Sequence, residues 1–259
     1  MQILIANAKI MHDRTERLPW TEPQFQSIAN RIALDMAGMD IDKLESELDC
    51  SRALAAENWQ RYQNFFIAKK MLAIMAYNGQ AYKHLKAHTL YDEDLKFAQD
   101  HLWITCFLYG LLRPMDGVVP YRMEHCVHLP SAEDIPVNRF WRDTLTDVLI
   151  DSVKADDGIL LHLSTEEYEH LFDWKRVCKE VTVVHPLFYV RQKNGNLKMQ
   201  AVWAKSCRGA MLRYILTNRI TSPNDLSGFS YEGFEYTPPL PQLPQHPADT
   251  AVRLLYVKH

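Results

Sequence analysis

The sequence predicts a single-domain α/β protein of mixed α+β type, a mixed sheet flanked by helices spanning residues 1–259. Three observations carry that expectation. First, 259 residues with 47% hydrophobic content can bury one sizeable core, and chains of this length often remain undivided. Second, short apolar runs alternate with stretches of helical periodicity, with no internal repeat and no composition break between halves. Third, Asn194-Gly195 lies between two strand-like runs, a strong short hairpin signal that puts an antiparallel pair into the sheet.

The elements follow in order. Gln2 to Ile5 reads as a short buried strand, and Phe25, Ile28, Ala29, Ile32 and Met36 recur at helical spacing. Ser51 is an N-cap for a long helix towards Ala76, with Trp59, Tyr62, Phe66 and Leu72 as core positions, stopped by Asn78-Gly79. Asp92 caps a second helix through Leu108, ended by Gly110 and by Pro114. Phe140 to Val153 reads as a helix, Ile159 to Leu163 as a buried strand, and Ser164 to Glu167 as a capping box that starts a short helix. Val181–Val190 and Leu197–Trp203 are the hairpin strands. Lys205 to Asn218 is helical, Ser222-Pro223 begins another turn, and the five prolines of Pro238–Pro247 make an extended surface segment. Ala251 to Val257 closes the chain as a strand.

Composition narrows the function classes. No stretch approaches the roughly 18 to 20 apolar residues of a membrane helix, and the start lacks the basic and apolar regions of a secretion signal. A soluble, unexported, cytoplasmic protein is expected. Five scattered cysteines without a CxxC pair do not make a disulfide framework, which fits a reducing compartment. The formal net charge is -3, so any nucleic-acid site must be a local basic patch. Phosphate-binding P-loops, dinucleotide fingerprints, HExxH helices and GxSxG elbows are all missing from the sequence.

Several residues nevertheless invite chemistry. Arg113 sits between a helix-ending glycine and a proline, where a rigid guanidinium suits bidentate binding of phosphate or carboxylate; an ion pair to Asp116 or Glu124 that pins the loop is the alternative. In an extended Tyr121-Arg122-Met123-Glu124 segment, Tyr121 and Met123 face one side, and Arg122 and Glu124 the other. Lys205 and Arg208 flank Gly209 near a helix start, a place for a phosphate to approach the backbone, or else a solvated helix start with an apolar face of Leu212 and Ile215. Lys9 follows the first strand, where α/β proteins commonly place functional groups, and is a candidate for nucleophilic or base chemistry or a surface lysine. Glu124, His125, Cys126 and His128 cluster, as do His84 and His88, but ligation would require the fold to converge them, and no metal or cofactor is assigned.

The segment from His101 to Asp116, followed by Pro120-Tyr-Arg-Met-Glu124, resembles the HL..L.GLYG.LRP.D and PYR.E motifs of the peroxide stress resistance YaaA family. Further matches span nearly the whole chain. Ala8-Lys9 is similar to the SPAK turn, and Tyr77 to Tyr82 to F.GDVY. Leu163 to Tyr168 is similar to LAS.EY, Lys205 to Met211 to KKARG.M, and Phe229 to Phe234 to F..EGY. Asn7 stands where the family has proline, Ile10 where it has threonine, Gln80 where it has aspartate, and Ser206-Cys207 where it has Lys-Ala. The resemblance implies a stress protein that protects against hydroperoxide, limits iron-driven oxidative damage and binds double-stranded DNA with weak sequence dependence. It also implies a helix-hairpin-helix-like element, best placed on the helix ending at Leu108 and the Tyr109–Leu112 turn. The expected nucleic-acid or anion site is Lys9, Tyr109, Gly110, Arg113, Tyr121, Arg122, Glu124, Lys205, Arg208 and Gly209, with Lys9, Arg113, Arg122, Lys205 and Arg208 sharing one cleft. The rival is an enzyme acting on a nucleotide, nucleobase or nucleic acid in the same cleft, its catalytic residues unassigned.

Overall fold

The computed structural model describes residues 1–12, 19–238 and 251–259. The first half of the chain forms β1 (Gln2–Ala6), α1 (Gln26–Ala37), α2 (Ile41–Glu47), α3 (Arg52–Gln63), β2 (Met71–Leu72), α4 (Ala73–Ala76), α5 (Gln80–Leu85), α6 (Asp92–His101), β3 (Leu102–Cys106), β4 (Gly110–Leu112) and β5 (Gly117–Val118). The second half forms β6 (His128–Leu129), β7 (Ile135–Pro136), α7 (Val137–Ala155), β8 (Ile159–His162), α8 (Glu166–Glu169), α9 (Trp174–Glu180), β9 (Thr182–Arg191), β10 (Leu197–Lys198), α10 (Ala201–Asn218), β11 (Ser230–Tyr231), β12 (Phe234–Thr237) and β13 (Val252–Lys258).

Among the described residues the main sheet has nine strands, in the order β11-β12-β13-β9-β8-β1-β3-β4 with β10 paired to β9. Its five central strands, β13, β9, β8, β1 and β3, run parallel, and the additions at either side are antiparallel. Gln2–Ile5 and all of Leu102–Cys106 are buried, on both faces of the sheet, as parallel strands covered by helices must be. α7 contributes Trp141, Leu145, Leu149, Ile150 and Val153 to the core, and the Trp141 Nε1 donates to the Phe107 carbonyl at 2.7 Å. No helix among the described residues is long and apolar enough to cross a membrane.

The connectivity fixes where a ligand can enter. From β1 the chain builds outward through β3 on one side, whereas β8, β9 and β13 extend the sheet on the other. The strand order therefore reverses between β1 and β8. Loops leaving the carboxyl ends of two such strands diverge and open a crevice.

Several expected elements end elsewhere. The helix capped by Ser51 stops at Gln63, where the Asn64 side chain turns back to the Gln60 carbonyl, and the chain re-forms as β2 paired with β5. Tyr62 and Leu72 are buried as expected, but Phe66 is 55% exposed and Trp59 also reaches solvent. The helix begun at Asp92 stops at His101, because Leu-Trp-Ile-Thr-Cys pairs in parallel with β1; tertiary pairing overrides the helical pattern. The helix-hairpin-helix-like placement fails for the same reason: Leu102–Cys106 and Gly110–Leu112 are strands of a buried β-hairpin, with Gly110 at φ +71° opening its second strand opposite Cys106. The Ser164 capping box does not form; Thr165 occupies the cap position of α8 and accepts no side-chain cap bond. The second hairpin strand is only Leu197–Lys198, since α10 begins at Ala201. Pro238 precedes an undescribed stretch, so the rest of the proline-rich segment lies outside the described residues.

Candidate functional site

A cavity of about 260 Å³ lies at the carboxyl ends of β1 and β8, where the strand order reverses. Asn7, Ala8, Lys9 and Ile10 of the first loop form one wall, and Leu163, Thr165, Glu167 and Tyr168 of the second form another. The start of α5, through Gly79, Gln80 and Ala81, faces Lys205 and Arg208 of α10. Two small residues let these walls approach. A Cβ on Gly79 would stand 2.6 Å from the Ala8 Cβ, and one on Gly209 would stand 1.9 Å from the Ala81 carbonyl oxygen.

The cavity floor is held by phenols. The Tyr168 hydroxyl donates to Asn7 Oδ1, and the Asn7 amide donates to the Tyr121 hydroxyl at 3.0 Å, which lies 2.9 Å from the Tyr77 hydroxyl. Tyr82 donates to the Ala6 carbonyl at 3.1 Å. Burial pushes Tyr77, Tyr82, Tyr121 and Tyr168 well above the ordinary tyrosine value, so all four stay neutral. The floor is hydrogen-bonded and carries no charge.

Charge is concentrated at the rim. The Lys9 ammonium contacts Glu124 Oε2 at 2.5 Å, and Arg122 Nη2 contacts Glu124 Oε1 at 2.8 Å. Tyr121 and Met123 are buried while Arg122 and Glu124 meet each other, the alternation expected of an extended segment. Ligand atoms of Glu124, His125 and Glu167 lie within 4.8 Å of one another, with His125 Nδ1 and Glu167 Oε1 at 3.8 Å. Lys9 and Arg122 both pair with Glu124, so a divalent cation there would have to displace two cations. Burial lowers Arg208 to about 10, opposed by the charge of Glu169. Among the described residues, its buried Nε has no hydrogen-bond partner. Lys9, Lys205 and Arg208 line the cavity together with the Glu167 carboxylate, and the Arg122–Glu124 pair adjoins it through Lys9.

The structure thus brings Lys9, Tyr121, Arg122, Glu124, Lys205 and Arg208 together and separates the rest. Arg113 lies at the opposite, amino-terminal end of the sheet strands. Its guanidinium donates to the Leu102 carbonyl at 3.2 Å and to Gln2 Oε1 at 3.3 Å, and stacks 3.3 Å from the Trp103 ring centre. Burial lowers it to about 10. The pinning role is taken instead by its backbone N–H, which donates to Asp116 Oδ2 at 2.7 Å. Arg113 therefore leaves the shared cleft. Tyr109 is buried and its hydroxyl accepts from Val119 N–H at 3.4 Å, and Gly110 is walled by Trp141 and Leu145, so neither reaches the cavity. Gly209 is filled by the α5 backbone rather than by a ligand. Lys205 is the fifth residue of α10, outside the first turn, so the helix-end attraction for anions does not apply to it. His84 is engaged by Tyr231 at 2.7 Å and by Gln80 at 3.1 Å, and His128 by Glu47, so of the proposed Glu124–His128 cluster only Glu124 and His125 converge, with Glu167. Asn7, Glu167 and Tyr168 join the site beyond the residues expected for it, and the position of Asn7 beside Lys9 after a buried strand is the sequence signal for it.

The arrangement defines a class: an α/β protein with a small cationic crevice at the point where its parallel strands reverse order. Residues 1–240 match the family described as peroxide stress protein YaaA. The chain belongs to that family. Over 240 residues it is 44% identical to a UPF0246 protein of Phocaeicola vulgatus, covering 91% of this chain and 94% of that one, and 42% identical to one of Bacteroides thetaiotaomicron, covering 91% and 93%. A UPF0246 protein of Porphyromonas gingivalis is 42% identical over 246 residues, 93% of this chain and 96% of that one.

Proposed function

We propose that this peroxide stress protein binds DNA at the switch-point crevice, seating one sugar-phosphate unit among Lys9, Lys205 and Arg208. The carrying observation is that residues nearly two hundred positions apart in sequence line one cavity of about 260 Å³, one of them with a buried unpartnered donor. That volume sits at or below the usual range for small-ligand sites, roughly 300 to 1,000 Å³, so it suits a compact anionic unit rather than a base-paired segment. A duplex would lie outside, along the neighbouring depressions that Lys83 and Lys86 line. An acidic protein must gather its cations locally to hold phosphate, and such contacts position without reading sequence. The limit on iron-driven oxidative damage that the resemblance implies would act at that DNA.

The test is a salt titration of the wild type and of Lys205→Ala/Arg208→Ala on two unrelated duplexes. Each lost phosphate contact lowers the magnitude of the log-log salt slope by about 0.9, so about 1.8 is expected for the pair, equally on both duplexes. Unchanged slope and affinity would remove α10 from the DNA site. The second reading, an enzyme acting on a nucleotide, nucleobase or nucleic-acid substrate, is supported by one observation, the amine-to-carboxylate contact of Lys9 and Glu124 at the cavity mouth.

A further inference from the structure

We propose that Lys9 forms a Schiff base with the aldehyde of a phosphorylated sugar, and that Glu124 moves the proton this requires. The proposal rests on the reading that the crevice takes a phosphate group. A lysine amine needs three things for such chemistry: access to the carbonyl, a proton acceptor in contact, and a means of holding the substrate in place.

Lys9 lines the cavity, Glu124 touches Lys9, and a cationic wall faces it. Lys9 lies directly after β1, its side chain 44% exposed, and lines the cavity. Glu124 is the acceptor, its side chain only 7% exposed and 2.5 Å from the amine. Arg122 holds the other carboxylate oxygen at 2.8 Å, which fixes the plane of the carboxylate towards Lys9. Across the cavity, Lys205 and Arg208 form the cationic wall to which a phosphate would be drawn, while Leu163 and Ala81 offer no competing nucleophile. An unphosphorylated aldehyde would have no comparable anchor, so the substrate class is an aldehyde that carries phosphate.

The step balances within these groups. Glu124 takes a proton from the Lys9 ammonium, and the free amine attacks the aldehyde carbon; the C–N bond forms as the carbonyl π pair moves to oxygen, which receives that proton back from Glu124. Glu124 then takes a proton from the carbinolamine nitrogen, restoring its lone pair, and gives it to the hydroxyl, which leaves as water while the nitrogen lone pair forms C=N. The products are a protonated imine on Lys9 and one water, with no oxidant or reductant consumed. Two sources share this chemistry: a free sugar phosphate in its open-chain aldehyde form, and the ring-opened sugar of an abasic nucleotide in DNA.

Reductive trapping separates these possibilities. The full chain is incubated with sodium cyanoborohydride and either deoxyribose 5-phosphate or a duplex containing one abasic site, and the adduct is located by peptide mass mapping. The expected result is a single secondary-amine adduct at Lys9, absent from Lys9→Arg, with at least tenfold less adduct in Glu124→Gln at equal folded fraction by thermal melt. The source is whichever probe gives the adduct at the lower concentration. Adducts spread over exposed lysines such as Lys175 and Lys193, or an adduct unaffected by Glu124→Gln, would overturn the proposal. Binding of an unreactive duplex, carrying a tetrahydrofuran in place of the abasic sugar, is measured in parallel. Binding that depends on Lys205 and Arg208 without any Lys9 adduct defeats the Schiff base and keeps the phosphate reading. A Lys9 adduct indifferent to Lys205→Ala/Arg208→Ala keeps the Schiff base, but as chemistry on an unanchored aldehyde, and overturns the phosphate-bearing substrate class.

Discussion

Gly209→Ala is expected to destabilise the protein sharply. The new Cβ would stand 1.9 Å from the Ala81 carbonyl oxygen, 2.6 Å from its carbonyl carbon and 2.9 Å from its Cα. Close C···O contacts settle at roughly 3.3 to 3.6 Å, so α5 and α10 would have to separate by about 1.4 Å. No side chain can rotate away, because every obstructing atom is backbone. Overpacking of this kind costs typically about 1 to 3 kcal/mol and occasionally more, and the rigidity of both partners puts the expected loss at the upper end, about 3 kcal/mol. At roughly 2 to 4 °C per kcal/mol for a chain of this size, the Tm should fall by about 6 to 12 °C. Gly158→Ala is the control: φ is +78° with nothing within 4 Å of the added Cβ, so only the left-handed backbone cost of roughly 1 kcal/mol remains. Thermal unfolding followed by circular dichroism reads both. A Gly209→Ala protein within about 2 °C of wild type would refute the close approach of the two helices and return Gly209 to the role of a ligand-facing residue.

Arg113→Ala should lose about 2 to 4 kcal/mol in urea unfolding, since it removes a buried stack on Trp103 and bonds to Gln2 and Leu102, yet leave duplex affinity unchanged; a large affinity loss would contradict its place at the far end of the sheet. Glu47 is pulled below its ordinary 4.5: burial opposes the shift, but hydrogen bonds from Lys43 and from the His128 backbone and ring outweigh it. Because the folded value is the lower one, the stabilisation is complete above pH 4.5 and fades as pH falls through the depressed value, so Glu47→Gln should flatten the acid limb of a stability-versus-pH curve below about 4.5 and leave an unchanged limb only if the pair is not formed. In a native thiol titration the exposed Cys126 should react first, whereas burial, which pushes Cys106 up to about 11 and Cys207 up to about 12, should protect both until unfolding; early labelling of Cys106 would mean the phenol floor opens.

The parts of the fold that could be read in advance were those set by local chemistry. Asn194-Gly195 gave its turn, with Gly195 at φ +85°, and Ser51 capped its helix by accepting from Leu54 N–H. The stretch Leu102–Cys106 could not be read locally, because its partner in β1 lies about one hundred residues away and only that pairing makes it a strand. The site divides in the same way. Lys9, Arg122, Glu124, Lys205 and Arg208 were visible as residue types, but nothing local distinguished them from Arg113, whose surroundings are set by Gln2 and Trp103. Gln80 and Ser206 stood out separately, each as a neutral residue in place of a charged one in the family motif. The structure joins them, because the Gln80 amide donates to Ser206 Oγ at 2.9 Å.

Asn7 carries a comparable lesson about substitution. Its backbone N–H donates to the Thr105 carbonyl at 3.0 Å, and its side chain links the phenols of Tyr121 and Tyr168. The proline usual in the family at this position has neither the N–H nor the amide. The two residues are thus alternative ways of stiffening the same strand end, one by a closed ring and one by stitching it to three neighbours. Moving from one to the other is a coordinated exchange: a proline placed here alone would unlatch β1 from β3 at its last rung and leave the Tyr168 hydroxyl without its acceptor and the Tyr121 hydroxyl without the Asn7 donor, so the neighbours at 105, 121 and 168 constrain which residue position 7 tolerates.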